Sequence, residues 1–355
     1  MLEKPDIQDE AILACLEAEY GLRVTRFEFL PLGQDRSTAV YRAVAKDETS
    51  AFCKLKFGAF DEVSVELPKF LSEQGIAQII PPLVTRSGRL WAEMGETRLV
   101  LYPFVAGKDG YEAALSERQW ADFGAAMKQI HSTALPAQLS RKIQKENYSP
   151  EWRERCRNII QRLDDETLDV PGAAELTAFL NSKRETILDL AARAEQLANA
   201  AGSRPTEFVL CHSDIHPGNL FLTAEDRLFI VDWDYPTLSL KERDLMYIGD
   251  GQGFICPSPQ EEERLFARGY GDMQIDPIGL AFYRYQRNVV DITIECERLF
   301  SSTFGDQDRK QSFEILQWYF KPGCAVELGG AESRRCGHAT SIIGWRRLNT
   351  VACNN

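Results

Sequence analysis

Val209-Leu210-Cys211-His212-Ser213-Asp214-Ile215-His216-Pro217-Gly218-Asn219-Leu220-Phe221-Leu222, followed by Leu228-Phe229-Ile230-Val231-Asp232-Trp233-Asp234, is the stretch around which the chain is organised. Phe208 to Cys211 is a short apolar run that reads as a buried strand. Residues 220–222 and 228–231 read as two more, separated by the turn formers Thr223-Ala224-Glu225-Asp226. A polar loop therefore projects from a small sheet, and a hairpin returns an acidic residue beside it. Asp214, Asn219 and Asp232 become oxygen ligands or proton acceptors within one small volume. Hard cations such as Mg²⁺ are held by one or two carboxylates together with substrate phosphates.

His212, Asp214 and His216 alternate in a pattern that suits zinc ligands of a hydrolase, but that reading leaves Asn219 and the second acidic motif unused. The five-residue step from Asp214 to Asn219 is that of the protein-kinase loop H-R-D-x-x-x-x-N, in which Asp meets the hydroxyl proton and Asn holds magnesium. Asp232 follows Asn219 by 13 residues, about where a kinase places its D-F-G aspartate. Here the triplet is Asp232-Trp233-Asp234, and no A-P-E follows. In these motifs the chain resembles the aminoglycoside phosphotransferase family, with its H-x-D-x-x-x-x-N loop and I-D-W-[ED] segment. Lys241-Glu242-Arg243-Asp244-Leu245-Met246 looks most like the spectinomycin phosphotransferase branch, and the resemblance spans residues 1–328.

The resemblance implies an α+β, two-lobed protein-kinase-like fold. The N-terminal lobe would be residues 1–104, the hinge 102–107 and the catalytic and substrate lobe 105–328, with a helical insert at 137–204. It implies transfer of the γ-phosphoryl of ATP or GTP to a hydroxyl of spectinomycin or a related aminocyclitol or aminoglycoside, and hence drug resistance. Asp214 would orient the acceptor hydroxyl and take its proton, Asn219 and Asp232 would hold Mg²⁺, and Lys54 would pair the nucleotide phosphates. Kinases of choline, homoserine or ketosamines share the motifs, and so does a module that binds nucleotide without transfer.

Composition narrows the classes further. The 355 residues suffice for one large domain or two modest ones, and no apolar run approaches the ~20 residues of a membrane span. The first residues lack the order of a secretory signal. Nine scattered cysteines without a C-x-x-C pair read as free thiols in a reducing compartment, so a cytoplasmic location is expected. The net charge of −12 argues against nucleic acid and suits a cationic small molecule. A monomer is expected.

Along the chain, residues 7–20 read as a helix capped by Asp6. Period-two patterns at 24–30, 39–44, 51–57 and 98–102, with another strand before Gly95, predict a five-stranded sheet carrying one helix between strands three and four. Ser37 and Thr38, in the loop joining strands one and two, are candidates to cradle phosphate. Lys54 and Lys56 share a strand face. The glutamate holding the lysine would be Glu62 by the family pattern, or Glu66, because Pro68 places the regular helix start near residue 66. The hinge backbone at Tyr102, Phe104 and Val105 would meet adenine. Ser116-Glu117-Arg118-Gln119 is a capping box opening a helix through His131, itself read as a satisfied helix-end residue. On the helix from Asp276 to Phe300, Tyr283, Arg287, Asp291 and Glu295 form one polar stripe. Its plain reading is a salt-bridged exposed face, and its sharper one is Asp291 or Glu295 meeting a substrate ammonium. A last helix spans 313–320, and the tail 329–355 has no clear period, as a disordered end would.

Overall fold

Alternation along residues 24–57 puts every second side chain on one face of a pleated sheet. The computed structural model describes residues 4–32, 37–165, 169–204, 207–249, 254–301, 305–321 and 326. In it β1 (Val24–Leu30), β2 (Thr38–Ala45), β3 (Ser50–Phe57), β4 (Ala92–Met94) and β5 (Thr97–Pro103) form an antiparallel sheet in the order β1-β2-β3-β5-β4. One face is covered by α1 (Asp9–Cys15) and the π-helical turn that continues it, Leu16–Tyr20. Ile12 and Leu16 pack there with Tyr41, Cys53, Leu55 and Leu99. Lys54 and Lys56 alternate with Cys53 and Leu55, so they point off the opposite face. Asp6 does not cap α1. The Ile7 N–H is taken by the Pro5 carbonyl in a turn, and the helix begins at Asp9.

Between β3 and β4 lies α2 (Val63–Glu73). It starts three residues before the expected Glu66 and carries Pro68 inside. The proline removes one helical hydrogen bond. Burial of Val63, Val65, Leu67 and Leu71 offsets that loss, at about 1.5–3 kcal/mol for each large side chain.

The large lobe opens with β6 (Lys108–Asp109), α3 (Glu117–Ser132), α4 (Ala137–Lys142), β7 (Gln144–Lys145), α5 (Glu151–Asp165) and α6 (Ala173–Gly202). The Ser116–Gln119 capping box forms at the start of α3. Leu139 of α4 belongs to the same core as Val63, Leu67 and Leu71, so α2 is seated on α4. Then come β8 (Val209–Cys211), β9 (Leu220–Leu222), β10 (Leu228–Ile230), β11 (Thr237–Ser239) and α7 (Glu242–Leu245). They make two small sheets, β10-β9-β6 and β7-β11-β8, from whose ends the polar loops project.

The chain closes with α8 (Pro259–Tyr270), α9 (Pro277–Phe300) and α10 (Asp306–Tyr319). Trp120, Phe123, Met127 and Ile130 of α3 pack with Phe266 of α8. The two helices cross at Gly124 and Gly269, where a Cβ would overlap the carbonyls of Phe266 and Ala121. Helices α5, α6, α9 and α10 build a second core from Ile160, Leu180, Ile187, Val289, Ile292 and Leu316. The last helix thus begins at Asp306, earlier than expected, while Pro322-Gly323 and the tail lie outside the described residues. Among the described residues no helix is long and apolar enough to cross a membrane.

Candidate active site

The loop after β8 is held from below by one buried carboxylate. Asp244 Oδ2 accepts the His212 N–H at 2.9 Å and Oδ1 accepts the Ser213 N–H at 2.7 Å. His131 Nε2 lies 3.0 Å from Oδ2, and its Nδ1 lies 2.8 Å from the Tyr270 hydroxyl. His131 is therefore a satisfied core residue, as expected. Burial opposes the ionised form of Asp244, but its hydrogen bonds and the neighbouring histidines outweigh this and hold the pKa below the usual carboxylate value. Ser213 sits at φ +76°, a conformation a non-glycine residue keeps only when its surroundings over-determine it. Asp244 does so. Sequence reading gave Asp244 no role, and its only signal was membership of the Lys241–Met246 segment.

His212 ties the loop to the hairpin. Its Nε2 is 2.9 Å from the Val231 carbonyl, its Nδ1 accepts the Asp214 N–H at 3.3 Å, and its ring meets Trp233 edge-on. Both ring nitrogens are thus engaged, so His212 does not fit the zinc reading. Among the described residues, the ligand group close enough for a metal is His131, Cys211 and Asp244. It is fully buried, and its atoms already hold one another, Tyr270 and the Leu240 carbonyl.

Asp214, Asn219 and Asp232 gather at the mouth between the small sheets and β3. Asn219 Nδ2 donates to the Asp214 carbonyl at 2.7 Å, which turns its carbonyl oxygen the other way. Asp232, at φ +65°, directs Oδ1 to Lys54 Nζ at 3.0 Å while its side chain stays 48% exposed. Asn219 and Asp232 thus offer the hard oxygen donors that suit Mg²⁺. Asp234, quoted in the motif without a role, receives Lys54 on Oδ2 at 3.0 Å and Lys56 on Oδ1 at 2.7 Å. Burial pushes the Asp234 carboxyl up, but the two lysines overcome it and bring the pKa to about 2.

Asp214 has a cationic neighbour that sequence reading did not pair with it. Arg287 Nη1 donates to Asp214 Oδ1 at 2.7 Å and to the Tyr247 hydroxyl at 2.8 Å, and Tyr247 donates to the same carboxylate oxygen at 3.1 Å. Arg287 Nε reaches Asp291 Oδ2 at 2.7 Å. Burial raises the Asp214 pKa, yet the charge and hydrogen bond of Arg287 together with His216 and His212 outweigh burial and hold it well below the usual range. The base form is therefore present above that depressed pKa and is lost only as pH falls through it. Arg287→Met removes the largest of the lowering causes and leaves burial opposed only by the neighbouring histidines. The acid limb of kcat/KM is expected to move up by about one pH unit or more, and an unchanged limb in the pH–rate profile would contradict this electrostatic role.

The polar stripe of α9 is not an exposed face. Tyr283 and Glu295 are buried, Arg287 and Asp291 are half-buried, and the stripe runs from Asp214 toward Tyr319. The reason is that α5, α6 and α10 cover the other sides of α9. Glu295 Oε1 binds Arg298 at 2.8 Å, and Ser312 of α10 also bonds its carboxylate. Burial raises the pKa of both Asp291 and Glu295. Burial also holds His216, which stacks on Tyr111, below its usual value.

The expected lysine–glutamate pair does not form. Glu62 and Glu66 both engage Lys142 of α4, at 3.0 and 2.8 Å, because α2 packs onto that helix. At the hinge, the Phe104 N–H is used by the Ser50 carbonyl and its ring lies under Arg42. Strand alternation then leaves the Pro103 carbonyl and Val105 N–H on the outward edge, with the half-buried Tyr102 facing inward toward β3. Thr38 is buried in β2 opposite Lys56, and the exposed Ser37 accepts the Phe57 N–H through its carbonyl. Residues 33–36 of that loop lie outside the described residues.

Residues 28–276 match the model of the phosphotransferase enzyme family, APH. The chain belongs to this family. It is 33% identical to spectinomycin phosphotransferase APH(9)-Ia, solved with ADP and spectinomycin, over 92% of this chain and 99% of that one, with a TM-score of 0.86. Protein StrN of Streptomyces griseus is 23% identical over 300 residues, 82% of this chain and 85% of that protein. Choline kinase LicA of Streptococcus pneumoniae shares the fold, at 14% identity and a TM-score of 0.54 over 88% of this chain and 99% of that one. As a phosphotransferase of the kinase-like α+β fold, the chain meets the expectation drawn from its loop motifs.

Proposed function

We propose that this phosphotransferase moves the γ-phosphoryl of ATP or GTP to a hydroxyl of spectinomycin or a closely related aminocyclitol, and so confers resistance to the drug. One arrangement carries the reading: Asp214 stands beside Asn219, Asp232 follows on the hairpin that pairs with Asn219, and Arg287 joins Asp214 to Asp291 of α9. Near-complete coverage at 33% identity with a spectinomycin phosphotransferase supports the substrate class. Asp214 orients the acceptor hydroxyl and takes its proton, and its low pKa keeps it ionised. Lys54 pairs the nucleotide phosphates, while Pro103 and Val105 offer the backbone edge for adenine. Asn219 and Asp232 would hold Mg²⁺, which when bound neutralises charge on the transferring phosphoryl group. The net charge of −12 favours approach of a cation over a nucleic acid. A monomer in the cytoplasm fits the described cysteines, all of them free.

A second reading is a kinase of a singly charged amino alcohol. Arg287 favours it, because with Asp214 and Asp291 it leaves that cluster one negative charge rather than two. Nucleotide turnover by the purified chain over spectinomycin, kanamycin and choline separates the two. Spectinomycin alone is expected to raise turnover and to leave with one phosphate per drug. Turnover with choline and none with spectinomycin would replace the drug reading by the metabolite one.

A further inference from the structure

A lysine that grips nucleotide phosphates needs a carboxylate to steady it, and Glu62, just before α2, and Glu66, within it, are used elsewhere. Lys142 Nζ stands 3.0 Å from Glu62 and 2.8 Å from Glu66, on the side of α2 that faces α4. The Glu62 side chain is 47% exposed, whereas those of Lys54, Lys56 and Asp234 are 13–14% exposed. A cation so far from water keeps its charge only with a carboxylate close by. Lys54 has two, Asp232 and Asp234, each at 3.0 Å. Asp232 is the more exposed and is the one placed to hold metal, so its contact with Lys54 competes with that duty. Asp234 has no such conflict, and its other oxygen is fixed by Lys56 at 2.7 Å.

We propose that Asp234 is the carboxylate that positions Lys54 for the nucleotide phosphates, with Lys56 locking Asp234 in place, instead of a glutamate on α2. The proposal rests on Lys54 being the phosphate-pairing residue. It moves the anchor of a small-lobe lysine onto the large lobe, just beyond β10. Lysine position therefore follows the approach of the two lobes and not the placement of α2.

ADP binding by calorimetry, once with Mg²⁺ and once with EDTA, tests this. Lys54→Ala and Asp234→Asn are each expected to weaken binding about tenfold in both media, and the double variant no further than either alone. Glu62→Gln with Glu66→Gln is expected to change binding less than about twofold. Asp234→Glu, which keeps the charge and the fold, is expected to give a smaller loss that disappears in the Lys54→Ala background, so the cycle stands even if Asp234→Asn does not fold. Additive losses, or glutamate variants that match Lys54→Ala, overturn the proposal. A loss confined to Mg²⁺ also overturns it and makes Asp234 a metal ligand. No effect of Lys54→Ala in either medium instead overturns the reading of Lys54 itself.

Discussion

Asp214→Ala is expected to lower kcat by about 10²- to 10⁴-fold, the usual contribution of a positioned base, while ADP affinity stays close to that of the unaltered chain. Asp214 touches neither β3 nor the hinge. Its side-chain partners are Arg287, Tyr247 and the nearby His216, on the side proposed for the acceptor. The nucleotide side is proposed to depend on Lys54, Asp232 and the edge of β5. Arg287 keeps Asp291 after the substitution, so the variant leaves no buried charge alone and should fold. Single-turnover phosphoryl transfer and ADP calorimetry on one preparation decide the matter. Near-normal turnover would remove Asp214 from the role, and lost ADP binding would place it on the nucleotide side.

Asp244→Ala is expected to damage stability and transfer together. The substitution strips the acceptor from two buried loop N–H groups and from His131. Breaking a buried, hydrogen-bonded charge in this way costs about 3–5 kcal/mol. Ser213, at φ +76°, would also be released from a conformation worth about 1–3 kcal/mol of strain. Loop and Asp214 then relax together. The thermal midpoint should fall by roughly 5 °C or more, and kcat should fall in the fraction that remains folded. A variant that melts like the parent with normal kcat would show that the loop holds itself without Asp244.

Much was written in local order. The period-two runs and the punctuation between them determined the five strands, because alternation and turn chemistry act over a few residues. The Asp214–Asn219 step and the Asp232 hairpin determined the reaction class, because one short loop and one hairpin bring those three groups together whatever the rest of the chain does. What lay beyond that reach was decided by packing. The seating of α2 on α4, through Val63, Leu67, Leu71 and Leu139, turned Glu62 and Glu66 to Lys142 and left Lys54 to Asp234. Nothing between residues 54 and 66 records that choice. The α9 stripe is written as a charged face, and helical spacing cannot tell solvent from a cleft. Only the burial of its other sides by α5, α6 and α10 pointed Arg287 and Asp291 at Asp214. Asp244 stands 30 residues after Asp214, in a segment whose spacing carries no chemistry. It became the support of the loop because α7 and α3 meet beneath β8, where a buried carboxylate is stable only when backbone N–H groups and a histidine fill its lone pairs.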